Sequence, residues 1–198
     1  EVATGSPLTY DPEAAGALLD EAGWTLNGDV REKDGTQLTA SVTIPADVKS
    51  NSDRARQIQT DLNAIGFSIE LDTVPSDAYF DEYIDTGDFK MVTFSWVGTL
   101  FPQQSSAHLF YPADSGQHYT GLDLAAQLGD LAESMQTELD PEARMAASNE
   151  FSSIVAGAFS VIPFYATPTI FAVSEGIVNY GAALFETVDW TLVGFKAA

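Results

Sequence analysis

The side chains that could do chemistry in this chain are few in kind: two histidines, many carboxylates and no cysteine. His108 and His118 stand ten residues apart, with Asp114 between them. Zinc sites draw their ligands at characteristic close spacings, and this trio does not match them. Both histidines therefore read as loop residues without a chemical role. A serine nucleophile held on a strained turn needs Gly-x-Ser-x-Gly, which is absent. The Walker phosphate loop and the Gly-x-Gly-x-x-Gly turn are absent too. Glycosidases place two carboxyl groups a few ångströms apart, but 29 acidic residues allow any pairing to be drawn, so no pair stands out. The expectation is a protein that is not an enzyme, holds no metal and uses no cofactor.

Binding is better represented. Phe94-Ser95-Trp96-Val97-Gly98-Thr99 reads as the end of a strand, with Gly98 freeing the backbone before an aromatic-rich loop. In open α/β sheets ligands sit outside the carboxyl ends of strands, where such loops begin. Trp96 could stack on a ligand or fill the core, and pattern alone leaves both open.

The elements around this segment follow from periodicity. Asp11-Pro12-Glu13 supplies a cap, a first-turn proline and an early acid for a helix whose apolar positions are Ala15, Leu18, Leu19 and Ala22, stopped by Gly23. Residues 24–33 are polar and turn-rich, and Asp34-Gly35 signals a hairpin turn. Leu38, Ala40, Val42 and Ile44 alternate with polar residues as a half-buried strand ending at Pro45. A loop is expected over 46–51, then a helix with Ala55, Ile58, Leu62 and Ile65 on its stripe and Gly66 at its end. Phe67, Ile69 and Leu71 mark a second strand; a short helix carries Phe80, Tyr83 and Ile84; residues 89–96 form a third strand, apolar on both faces as a central strand would be. Strand, helix, strand, helix, strand predicts a layered α/β sheet with right-handed crossovers, and residues 67–73 and 89–95 are expected in one sheet.

Residues 97–121 form a long irregular segment whose aromatics, Phe101, Phe110, Tyr111 and Tyr119, argue against disorder. Two helices follow, one marked by Leu124, Leu128, Leu131 and Met135, the other started by Asp140-Pro141-Glu142. Residues 161–195 read as short strands and turns.

Composition sets the outer limits. The chain has 198 residues, 45% of them hydrophobic, and a formal net charge of −21 from 29 acidic and 8 basic side chains. The basic residues are scattered, and a surface this negative repels phosphate backbones, so nucleic acid and anionic membranes are poor partners. The charge itself speaks for solubility or a salty habitat rather than for a fold. Residues 152–174 carry no charge, but Pro163 and Pro168 interrupt them. A buried helix end followed by two buried strands accounts for that stretch better than a membrane span. No signal peptide is visible and the chain starts at Glu1, as expected for a mature protein or an excised piece.

Several segments, in order, resemble a known family. They are Tyr10-Asp11-Pro12-Glu13-Ala14-Ala15 running to Glu21-Ala22-Gly23-Trp24; Gln57 to Leu62 with Ile65-Gly66-Phe67; and Thr86-Gly87-Asp88-Phe89-Lys90-Met91, leading to Ser95-Trp96. Asp140-Pro141-Glu142-Ala143-Arg144 and Ile162-Pro163-Phe164-Tyr165 complete the set. Together they resemble the extracellular solute-binding proteins of family 5, the peptide- and nickel-binding subunits of ABC importers. Asn179-Tyr180-Gly181-Ala182, Asp189-Trp190, Gly194-Phe195 and the run from Phe94 to Pro102 look closest to the actinobacterial branch.

The resemblance implies an α/β lobe of the periplasmic-binding-protein type (type II, cluster C-like), with a mixed β-sheet flanked by helices. It implies that residues 1–198 are the C-terminal lobe of a longer two-lobed receptor, with 182–198 returning towards a first lobe upstream. The implied partners are a peptide or small-molecule ligand, that first lobe and an ABC permease. The implied location is extracytoplasmic, through a lipoprotein anchor. The implied ligand-binding residues are Ser95, Trp96, Val97, Gly98, Thr99, Phe101, His118 and Tyr119. Peptide-binding members often carry an acid where this chain has Thr99, and an Asn where it has His118. An oligopeptide receptor is the first expectation; a receptor for an oligosaccharide or other uncharged solute, or a sensory domain without transport, is the alternative.

Overall fold

The computed structural model describes residues 9–100, 105, 107–110, 124–168, 170–181 and 187–196. Helix α1, Pro12–Glu21, starts where Asp11 accepts a hydrogen bond from the Ala14 N–H at 2.9 Å. No α1 residue is buried, and Leu18 of the expected apolar stripe faces solvent. The polar stretch after it is not merely turns. Strands β1 (Thr25–Asn27), β2 (Val30–Lys33) and β3 (Thr36–Gln37) form an antiparallel sheet. Cross-strand hydrogen bonding overrides its polar composition, because both faces stay largely wet. Asp34 and Gly35 both have positive φ, as a two-residue hairpin turn requires.

The α/β expectation is met by a second sheet, in the order β5-β4-β6, all parallel. Strand β4 is Thr39–Pro45, β5 is Ser68–Val74 and β6 is Met91–Val92. Residues 67–73 and 89–95 thus do contribute to one sheet. The central strand, however, is β4: Val42, Thr43 and Ile44 are consecutive and all buried, so both of its faces are covered. Strand β6 lies at an edge and pairs over only two residues. Its apolar character past Val92 comes from contacts described below.

Side-chain alternation sorts the packing into two faces. Val42, Ile44, Ile69 and Ala55 form one cluster beneath helix α2, Lys49–Ala64, which begins inside the expected loop. Val74, Tyr79 and Ile84 form the other, with Val92 and Phe94 against it. Tyr79 and Ile84 lie on a π-helical turn, Tyr79–Ile84, where an ordinary helix was expected.

A separate core joins helices α3 (Ala125–Thr137) and α4 (Pro141–Gly157). Leu128, Ala132, Phe151 and Val155 meet there, and Phe110 packs edge-on against Phe151 with ring centroids 6.1 Å apart. Asp140 caps α4 by accepting from the N–H groups of Glu142 and Ala143. Beyond it the two expected buried strands are not formed. Residues 161–168 and 170–173 have no regular structure and lie mostly exposed, because no strand of the described chain runs beside them. The tail closes with a short antiparallel pair, β7 (Ile177–Val178) and β8 (Gly194–Phe195). No helix among the described residues is long and apolar enough to cross a membrane.

Candidate functional site

The site begins where β6 leaves its sheet. Thr93, the next residue, is buried, and its carbonyl accepts two hydrogen bonds. Asn51 Nδ2 of α2 donates at 2.5 Å. The Tyr79 hydroxyl reaches it at 3.1 Å, and also lies 3.2 Å from the Thr43 carbonyl. Arg54 Nε donates to Thr93 Oγ1 at 2.9 Å, and its Nη2 donates to Asn51 Oδ1 at 2.7 Å. The knot joins α2, the residue after β6 and the π-helical turn through hydrogen bonds between side chains and the Thr93 backbone, which ties the three together. Burial pushes the Tyr79 hydroxyl pKa above its ordinary value, against the opposing pull of the Thr93 hydrogen bond and the Arg54 charge.

The alternation of the sheet continues past this clamp. Phe94 falls on the face of Tyr79, and Trp96 follows it. Tyr79, Phe80, Phe94 and Trp96 make a row of edge-to-face rings with successive centroid separations of 5.4, 5.6 and 4.7 Å. The row starts buried at Tyr79 and ends at Trp96, which is 48% exposed. Trp96 is therefore packed on Phe94 and also presents surface to solvent, so it is not a fully buried core residue. Ser95, Val97, Gly98, Thr99 and Leu100 are all exposed. The Thr99 hydroxyl lies 2.8 Å from that of Ser105. An aromatic platform followed by an exposed glycine and hydroxyls can stack on a flat or apolar group and hydrogen-bond its edge. Phe101, His118 and Tyr119, the remaining expected ligand residues, lie outside the described residues, as does Asp114.

Sequence reasoning missed Asn51, Arg54, Tyr79 and Thr93. One signal was present: Asn51 sits one turn before Ala55 on the stripe that packs against the sheet, where a polar side chain must find a partner. No group of His, Asp and Glu among the described residues could hold a metal ion.

Comparison with known proteins places this geometry in context. The family model for bacterial extracellular solute-binding proteins, family 5 Middle, matches residues 2–117. The oligopeptide-binding protein OppA of Mycobacterium tuberculosis is 31% identical over 188 residues, covering 95% of this chain and 31% of the relative. The chain thus spans about a third of the length of that curated relative. Among solved structures, a periplasmic oligopeptide-binding protein from Thermotoga maritima, bound to mannohexaose, superposes with a TM-score of 0.72. It is 20% identical, over 90% of this chain and 35% of the other. NikA from Brucella suis, in complex with Fe(III)-EDTA, superposes with a TM-score of 0.68 at 23% identity, over 80% and 33% of the two chains. These likenesses establish the periplasmic-binding-protein-like fold.

Proposed function

The chain belongs to the bacterial extracellular solute-binding proteins of family 5, and from that membership we propose that it is the ligand-binding lobe of an ABC importer's receptor, chiefly for oligopeptides. The observation that carries the reading is Trp96: half-exposed, backed by Phe94, and set just beyond the carboxyl end of a parallel sheet. Ser95, Val97, Gly98 and Thr99 complete the described part of the site, and Phe101, His118 and Tyr119 are proposed to join it. The chain is proposed as the C-terminal lobe of a longer protein, held outside the cell membrane by a lipid anchor and passing its ligand to a permease. Residues 182–198 would return towards the first lobe. OppA, the similar mycobacterial protein, is named for binding oligopeptides, and that supports the ligand class.

A second reading, an oligosaccharide receptor, draws on Thr99. Its hydroxyl stands where an acid would otherwise meet a peptide's ammonium group by a charge-assisted bond. Titration calorimetry of the complete gene product against oligopeptides and oligosaccharides separates the two. Heat from peptides alone supports the first reading, heat from sugars alone replaces it with the second, and heat from neither refutes both. The isolated lobe should bind far more weakly, since losing ~4 kcal/mol of a micromolar interaction leaves it millimolar.

A further inference from the structure

The ladder between β4 and β6 ends at the Thr43–Val92 pair. Trp96 stands beyond it, so its place depends on what holds the chain in between. Thr93 is the first residue past the ladder, and one helix grips it at two atoms. Asn51 Nδ2 donates to its carbonyl at 2.5 Å, and Arg54 Nε donates to its Oγ1 at 2.9 Å. Arg54 Nη2 donates in turn to Asn51 Oδ1 at 2.7 Å, which closes a ring of hydrogen bonds through Thr93. Asn51 and Arg54 can share this task because residues three apart on a helix lie on one face. The Tyr79 hydroxyl also meets the Thr93 carbonyl, but it faces the Thr43 carbonyl as well and has one hydrogen to share.

We propose that Asn51 and Arg54 are positioning residues for the ligand platform. By holding Thr93 at its carbonyl and at its hydroxyl, they fix the direction in which residues 94–96 leave the sheet, and so the place of Trp96. The proposal rests on the reading of Trp96 as a residue that stacks on ligand. Two attachments on one residue restrain its rotation as well as its position, and a binding side chain is only as precise as the groups that support it. The place in the fold agrees. With the strand order β5-β4-β6, the chain leaves β4 towards one side and returns to β6 on the other. The carboxyl ends of β4 and β6 therefore flank the point where the order reverses, which is where open α/β sheets hold ligands. Packing alone does not call for this device, since apolar side chains would fill the space without withdrawing an amide and a guanidinium from water. Nor does charge pairing, because Arg54 makes no ion pair among the described residues.

Fluorine NMR and calorimetry on the complete gene product test this, with fluorotryptophan incorporated and the Trp96 line identified by its loss in Trp96→Phe. Thr93→Val keeps the side-chain shape and removes the acceptor for Arg54. Asn51→Asp keeps the acceptor for Arg54 and removes the donor to the Thr93 carbonyl. Both should shift or broaden the Trp96 line. Both should also weaken binding of pentaalanine or maltotriose, whichever the parent takes, by about fivefold to tenfold, as one lost hydrogen bond does. Thr93→Ser, which retains the hydroxyl, should match the parent in both readings. Gln59→Leu is the control: Gln59 donates from the same helix to the Ile69 carbonyl at 2.7 Å, so it loses a similar bond and should leave the Trp96 line in place. A line unmoved by Thr93→Val and Asn51→Asp overturns the proposal, and so does a line that Gln59→Leu moves as far. If the parent takes neither probe while the variants move the line, the receptor reading falls and the grip on Trp96 stands. If parent and variants bind alike with the line unmoved, the grip falls and the receptor reading stands.

Discussion

Two arginines sit at opposite ends of α2 and do different work. Arg31, on β2, has a side chain only 9% exposed. Its Nη1 donates to Asp20 Oδ1 at 2.5 Å and to the Trp24 carbonyl at 2.6 Å, while Nε donates to the Ile65 carbonyl at 2.8 Å. It thereby joins α1, β2 and the carboxyl end of α2, where the helix dipole also favours a cation. Arg54 lies in the amino-terminal half of α2 and is held by neutral acceptors instead: Thr93, Asn51 and Tyr165. The first end of the helix is closed and serves the fold. The second borders the segment after β6 that leads to Trp96. A charge bound by a carboxylate and carbonyls is a staple; a charge bound by side-chain amide and hydroxyl oxygens at a cleft can still meet something new.

Breaking the closed end should have the largest effect. Arg31→Met leaves the Trp24 and Ile65 carbonyls without their donor and should cost about 2–3 kcal/mol in chemical denaturation. A loss below ~1 kcal/mol would mean that the staple is idle. Gly66→Ala attacks the same place sterically. Gly66 has φ +98°, and a Cβ there would lie 2.6 Å from Arg31 Cγ. The expected cost is about 2 kcal/mol. Asp20→Asn should cost less than ~1 kcal/mol, because Asp20 is well exposed and surface pairing is weak.

At the open end the effects shrink. Tyr79→Phe removes one of two donors from the Thr93 carbonyl and should cost about 1 kcal/mol. It should also alter the alkaline limb of stability. The unfolded chain releases this proton near the ordinary value of 10.0, and the folded one only at higher pH. Above pH 10 the unfolded state therefore binds fewer protons, so stability falls as pH rises towards the folded value. Tyr79→Phe should flatten that fall, as read from denaturation midpoints at stepped pH. Trp96→Ala should change stability least, by ~1 kcal/mol or less for one exposed ring pair. In the complete protein it should nevertheless weaken ligand binding at least tenfold. If it costs more stability than Tyr79→Phe and leaves binding intact, Trp96 belongs to the core and not to the site.

Local signals in the sequence decided the elements. Asp11-Pro12 and Asp140-Pro141 started helices because a capped first turn needs only neighbouring residues. The alternation of 38–44 and the stripe from Ala55 to Leu62 placed β4 and α2, because burial on one face imposes a period of two or of about 3.6 residues. The ordered set of family-like segments carried the fold class with them.

Only the tertiary structure decided which strand is central, since β4 alternates yet is buried on both faces, while β6, in the segment expected to be central, lies at an edge. It decided that the Thr93 carbonyl is held by both Asn51 and Tyr79, residues 42 and 14 positions away. It also left residues 162–168 and 170–173 exposed, although hydrophobicity alone had assigned them to buried strands. Composition reports that a segment seeks cover. Whether it is covered depends on what polypeptide lies beside it, and no local pattern contains that.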